Sequence, residues 1–225
     1  MIIIGLTGSI GMGKSTASEF FRRCGVPVHD ADGVVHRLMA RGGAAVATVE
    51  AAFPGVVRDG AVDRTALGQR VFGDDAALRR LEGILHPMVG RARDRMLRLA
   101  ARHHHPAVVL DVPLLYETGG QSNCDMVVVV SAPAAVQAER VLRRPGMTRA
   151  RLDEILKLQV SDAEKRHRAD FIVQTGLGKG YSFRVVRRIV QSLHGRRGRH
   201  WPPPGRWPRY GHRPWHANKR LNGNA

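Results

Sequence analysis

Three stretches of the chain are apolar at almost every position: Ile2-Ile3-Ile4-Gly5-Leu6, Ala107-Val108-Val109-Leu110 and Met126-Val127-Val128-Val129-Val130. A strand that is apolar on both sides must be covered on both sides, the condition of a parallel sheet between helical layers. Two shorter runs, Val26-Pro27-Val28-His29-Asp30 and Asp170-Phe171-Ile172-Val173, predict a second and a last strand. Elsewhere apolar residues recur at helical spacing. This predicts helices from about Ser15 to Arg23, over Ala134–Leu142, Arg149–Gln159, Ser161–Arg168 and Tyr181–His194. Gly25 suits the position just past the first helix, and Pro145-Gly146 breaks the second.

Between Gly33 and His105 no strand is expected. Apolar positions there fall at helical intervals, as in Leu67, Val71 and Phe72, then Leu78, Leu81 and Leu85. About seventy residues between two core strands exceed a crossover helix, so a helical insertion is expected over about residues 33–105. The order of elements predicts an α/β fold: a three-layer α/β/α arrangement around a parallel sheet, with the insertion and a helical lid over about 143–168. His86-Pro87 reads as the end of one helix and the start of the next, since Pro is favoured at a first helical position. His103-His104-His105 reads as a solvated helix end, because three consecutive side chains point in different directions.

Composition narrows the picture. The 225 residues carry a net charge of +17, of which the segment 195–225 supplies eight Lys/Arg and no acid. That segment also holds Trp201, Trp207 and Trp215 and shows no apolar periodicity, so it reads as a disordered tail beyond a catalytic domain of residues 1–194. Any nucleic-acid binding is expected to come from this tail alone. No run of 18 apolar residues predicts a membrane span, and the start of the chain does not read as a signal peptide. Cys24 and Cys124 have no CxxC spacing and fit packed, reduced thiols of a cytoplasmic protein.

The candidate chemistry begins directly behind the first strand. Gly8-Ser9-Ile10-Gly11-Met12-Gly13-Lys14-Ser15 matches GxxxxGK[ST] between a strand and a helix. Such a loop folds its N–H groups into a concave nest at a positive helix end, which suits the phosphates of a nucleoside triphosphate. Residues Gly8 to Thr16 are therefore the expected nucleotide contacts, with Lys14 reaching the β- and γ-phosphates and Ser15 placed to ligate Mg²⁺. Asp111 ends a buried strand and is a second candidate for the Mg²⁺ shell.

Asp30 and Asp32 follow the second strand. One of them is a candidate to take the proton of an acceptor alcohol, though an Asp at a helix start is also a good N-cap. Arg140 and Arg144 would share one helical face and supply positive charge to a moving phosphoryl group. The alternative for these arginines is a solvated basic face. Pro113-Leu114-Leu115-Tyr116-Glu117 reads either as the rim of a site or as a structural loop.

Together these residues resemble the dephospho-CoA kinase family. The resemblance is carried by Gly5 through Ser15, Gly25-Val26-Pro27 leading to Asp30-Ala31-Asp32, and Leu85-His86-Pro87. It continues through Pro113 to Glu117, Gln137 with Arg140 and Arg144, and Gln159 followed by Lys165 and Arg168-Ala169-Asp170. It implies Mg·ATP-dependent phosphorylation of the ribose 3′-hydroxyl of dephospho-CoA, the last step of coenzyme A synthesis. It also implies Asp32 as the catalytic carboxylate, Asp30 and His86 at the acceptor, and Leu115, Tyr116 and Glu117 lining the acceptor pocket. Ser9 stands where the family often has Gly, Met12 where a small residue is usual, and Gln174-Thr175-Gly176 where many members have Asn. The competing readings are another P-loop kinase, acting on nucleosides or their monophosphates, and a nucleic-acid-binding NTPase. The expected protein is a cytoplasmic monomer or small homo-oligomer without a membrane partner.

Overall fold

Ile2–Thr7 forms β1, six residues that are all buried, as their unbroken apolar character requires. The computed structural model describes residues 1–202. β1 is flanked by β5 (Ala107–Asp111) and β6 (Met126–Ser131), each also buried along its whole length. Both pairings are parallel, with Leu6 opposite Asp111 on one side and opposite Val128 on the other. β7 (Phe171–Gln174) extends the sheet beyond β6, and β2 (Val28–Asp30) lies beside β5, giving the order β2-β5-β1-β6-β7. The strand expected at 26–30 is thus shorter at its start, although the Pro27 carbonyl already accepts from Val109 N–H.

The residues divide into two compact units, Met1–His29 with 100–202, and Asp30–Leu99. In the first unit, α1 (Lys14–Arg23) and α9 (Lys179–Ser192) pack together; Phe20 and Phe183 meet edge to face. Their apolar faces join Ile2, Ile4, Leu6, Val109, Val128 and Val173 in one core. Burying each such side chain contributes roughly 1.5–3 kcal/mol, so the central strands are the firmest platform in this unit. α6 (Ala134–Leu142), α7 (Arg149–Lys157) and α8 (Asp162–His167) complete it. Neither Cys24 nor Cys124 is part of a disulfide, and burial raises the pKa of Cys24.

The second unit holds α2 (Ala31–Met39), α3 (Val46–Ala52), a two-stranded hairpin of β3 (Val57–Arg58) and β4 (Ala61–Val62), α4 (Arg64–Val71) and most of α5 (Asp75–Arg102). It has its own core of Met39, Val49, Phe53, Val56, Val62, Leu67 and Leu85. Two expectations are corrected here. The hairpin was not foreseen, because two-residue strands leave no alternation to read. His86-Pro87 does not separate two helices: α5 runs through Pro87. Proline removes the bond to the Gly83 carbonyl, but Leu81, Ile84, Leu85 and Met88 on either side pack on the same core and hold the helix together. The expected helix end at His103 to His105 is present, with His104 in the left-handed region.

The first residues of the basic tail are placed against the sheet. Asp125 accepts from Ile3 N–H (2.7 Å) through one oxygen and from the Arg199 and His200 N–H groups (2.5 and 3.2 Å) through the other. The rest of the segment expected to be disordered, 203–225, lies outside the described residues. Among the described residues no helix is long and apolar enough to cross a membrane.

Candidate active site

The phosphate loop leaves the carboxyl end of the central strand and runs into α1, as its sequence setting predicts. Its glycines answer to two constraints. A Cβ on Gly8 would fall 2.6 Å from the Val130 carbonyl, so only Gly lets the loop lie this close to β6. Gly13 has φ 92°, a left-handed conformation that L side chains rarely adopt. Gly13 is the N-cap of α1 and offers no side chain to its first turn, where no acidic residue sits either. The first N–H groups of the helix therefore keep their positive end for an outside anion.

The loop is tied from several sides. Gln137 Nε2 donates to the Ile10 carbonyl (2.8 Å), and Ile10 N–H donates to Gln159 Oε1 (3.2 Å). Thr175 Oγ1 donates to the Met12 carbonyl (2.6 Å), while the Arg140 guanidinium donates to Thr175 Oγ1 and to the Thr175 carbonyl (both 2.9 Å). Met12 is buried in the core, and its sulfur accepts from Ala132 N–H at 3.1 Å. The larger residue at this position thus fills space and caps a backbone donor. Ser9 is also buried; its carbonyl accepts from Met12 N–H. Ile10 and Gly11 lie within the loop, and Ser15, which is exposed, and Thr16 belong to the first turn of α1.

Lys14 extends to Asp111 at the end of β5 and forms an ion pair with it, while the Ser18 hydroxyl donates to the other oxygen of the same carboxylate. Asp111 is buried, and Lys14 and Ser18 lie one turn apart on α1. Ser18 was missed by sequence reasoning. The available signal was its place four residues after the loop lysine, on the same helical face.

Arg144 is placed differently from its expectation. α6 ends at Leu142, so Arg140 and Arg144 do not share a helical face. Arg140 is half-buried against the loop, whereas Arg144 is exposed in the segment leading to α7.

The Leu115, Tyr116 and Glu117 side chains make their contacts inside the first unit. Leu115 is 2% exposed. Tyr116 OH donates to the Arg168 carbonyl (2.9 Å), and the Arg168 guanidinium lies 4.3 Å over its ring; burial raises the tyrosine pKa. Glu117 Oε1 accepts from Val160 N–H (2.9 Å) and pairs with Lys165 Nζ (2.8 Å), a lysine that is fully buried. Burial pushes the Glu117 carboxyl up, but the Lys165 contact, the backbone N–H bond and the Lys165 charge outweigh it, leaving its pKa below the ordinary value. Since Val160 follows Gln159, this pair also fixes the residue that holds Ile10.

Removing Lys165 leaves a mostly buried carboxylate without its cation, so Lys165→Ala is expected to destabilise the protein by about 3 kcal/mol. The pH dependence follows from the sign of the shift. A lowered folded pKa means that the contribution of Glu117 is complete above its unfolded value near 4.5 and is lost as pH falls through its folded value. Denaturant midpoints measured from neutral pH down through this range should show less acid sensitivity in Lys165→Ala than in the parent.

In the second unit, Asp30 caps α2: its Oδ1 accepts from Gly33 N–H at 2.9 Å. Asp32, exposed in the first turn of α2, lines a cavity of about 400 Å³ with Gly33, Val35, His36 and Arg64. His36 and Arg64 were not foreseen; His36 lies one helical turn beyond Asp32. His86 is exposed on α5.

A parallel sheet with a GxxxxGKS loop between its central strand and α1 defines a P-loop nucleotide-binding protein of the α/β class. A family model for dephospho-CoA kinase matches residues 2–178. The chain belongs to the dephospho-CoA kinase family. It is 62% identical to the dephospho-CoA kinase of Paramagnetospirillum magneticum over 88% of this chain and 93% of that protein. It is 55% identical to that of Mesorhizobium japonicum, over 88% of this chain and the whole of the relative. A crystal structure from Thermus thermophilus, 34% identical, superposes with a TM-score of 0.72 over 85% of this chain and 96% of that one.

Proposed function

We propose that the chain transfers the γ-phosphoryl group of ATP to the ribose 3′-hydroxyl of 3′-dephospho-CoA, giving CoA and ADP in the last step of coenzyme A biosynthesis. The observation that carries the reading is the tethered loop Gly8–Ser15, opening on an uncapped helix end, in a chain of this family. Phosphoryl transfer needs little covalent help from the protein and is served by positioning and by charge matched to the transferring oxygens. Lys14 supplies that charge at the loop, moving from Asp111 to phosphate when nucleotide binds. Arg140, held against the loop by Thr175, supplies a second positive group, and Arg144 a third from the exposed segment beyond α6.

Mg²⁺ fits the donor set. Mg²⁺ is ordinarily held by one or two protein oxygens together with phosphates and water. Ser15 offers an exposed hydroxyl beside the loop lysine, and among the described residues no cluster of three His, Cys, Asp or Glu forms a protein-only cage. Ser15 would hold the ion with the nucleotide phosphates, and Asp111 is the carboxylate that would join its shell. When bound there, the ion would supply positive charge that offsets charge developing on the phosphates.

Asp32 is the carboxylate that takes the acceptor proton, while Asp30 orders the start of α2 beside it. The cavity that Asp32 lines also presents His36 and Arg64, groups suited to a phosphorylated acceptor. His86 is a further acceptor contact on α5. A cytoplasmic location belongs to the same reading, in keeping with two cysteines that form no disulfide.

The test is ADP release from Mg·ATP with dephospho-CoA, with AMP, with adenosine and with no acceptor, and identification of CoA by mass. Stimulation by dephospho-CoA alone is the expected result. Activity confined to AMP or adenosine would overturn the choice of acceptor.

A further inference from the structure

Thr175 lies just past β7 and is buried. Four bonds hold it. Its N–H donates to the Ser131 carbonyl (2.8 Å), its carbonyl accepts from Arg140 Nη2 (2.9 Å), and its hydroxyl accepts from Arg140 Nη1 (2.9 Å). The single hydroxyl proton is directed to the Met12 carbonyl, 2.6 Å away; the Ser131 carbonyl, at 3.4 Å, is the more distant acceptor. With both hydroxyl functions engaged and the backbone fixed, the direction of this proton is set.

The consequence lies in the peptide that Thr175 grips. In a trans peptide the C=O and the following N–H point in opposite directions. Drawing the Met12 carbonyl toward Thr175 therefore turns Gly13 N–H to the other side. Gly13, at φ 92°, belongs to a residue type whose backbone turns over at little cost, so its own conformation does not lock the peptide. A turned-over Met12–Gly13 peptide would present a carbonyl oxygen in place of a donor. For a nest of N–H groups binding an anion, that exchange replaces attraction with repulsion.

We propose that Thr175 is a positioning residue for nucleotide binding: its hydroxyl locks the Met12–Gly13 peptide so that Gly13 N–H serves the phosphate nest. The proposal rests on the reading of the loop as the ATP site. Gln174-Thr175-Gly176 stands where many members were expected to have an Asn-containing strand end; within it the Thr175 side chain is committed to the loop and to Arg140.

Thr175→Val keeps the shape and removes the hydroxyl. Binding of ADP, followed by calorimetry on the full chain, should weaken about tenfold, the effect of losing one buried hydrogen bond at the site. The KM for ATP should rise by a similar factor while the KM for dephospho-CoA stays within about twofold, and Thr175→Ser should restore both. A residue that merely filled the core would lower the melting temperature without this split. Should Thr175→Val fail to fold, Thr175→Cys keeps the size with a weak donor and should give an intermediate loss of ADP affinity. Parent-like ADP affinity in a folded Val or Cys variant overturns the proposal, as does an equal rise in both KM values. Absence of ADP binding in the parent protein would instead overturn the nucleotide-site reading beneath it.

Discussion

Asp32→Asn is expected to lower turnover with dephospho-CoA by about two to four orders of magnitude, the range contributed by a positioned general base. The substitution keeps size and hydrogen-bonding capacity but removes the carboxylate proposed to accept the hydroxyl proton. Because Asp32 is exposed in the first turn of α2 and is not the N-cap, the fold should be undisturbed. ATP affinity should be unchanged, so the loss should fall on kcat. Steady-state kinetics together with ADP calorimetry check this. Unchanged turnover would pass the role to Asp30, whose Oδ1 is held by Gly33 N–H but whose second oxygen is not part of that bond.

Lys14→Ala should be the other severe lesion, lowering kcat by about two to three orders of magnitude as charge matched to the phosphoryl group disappears. The structure adds a second effect that the motif alone does not suggest. Asp111 is left buried with Ser18 as its remaining side-chain partner, and an uncompensated buried charge costs about 3 kcal/mol of stability. Lys14→Ala combined with Asp111→Asn should recover most of that stability while leaving turnover low. Denaturant midpoints and kcat for the parent, both single variants and the double variant separate the two effects. A double variant no more stable than Lys14→Ala would show that the ion pair contributes nothing to the unliganded fold.

The framework of this protein is legible in its sequence because its signals are local. Unbroken apolar strands, a loop motif of eight consecutive residues and helical spacing need no knowledge of what lies across the sheet. The expected five strands, the loop and α6 to α9 all occur near their predicted positions. The losses share a different cause. Glu117 belongs to the same short segment as Leu115 and Tyr116, but its role is set by Lys165 and Val160, more than forty residues on. Thr175 reaches back to Met12, and Asp111 to Lys14 and Ser18, across comparable or greater gaps. The course of α5 through Pro87 was lost for a related reason: local propensity argues for a break, and the packing of Leu81, Ile84, Leu85 and Met88 decides otherwise.

Asp125 joins two distant stretches of backbone, Ile3 at the entry of β1 and Arg199 with His200 beyond α9. Its three donors among the described residues are main-chain N–H groups, so the latch depends on one carboxylate and hardly at all on which side chains follow it. The chain from 3 to 199 is thereby a circuit closed without a covalent bond. It closes at the amino-terminal ends of the strands, whereas the phosphate loop leaves the carboxyl end of β1. A short peptide linker across this junction would turn the circuit into a true ring, and new termini could then be opened in a surface loop without cutting through the carboxyl end of the sheet.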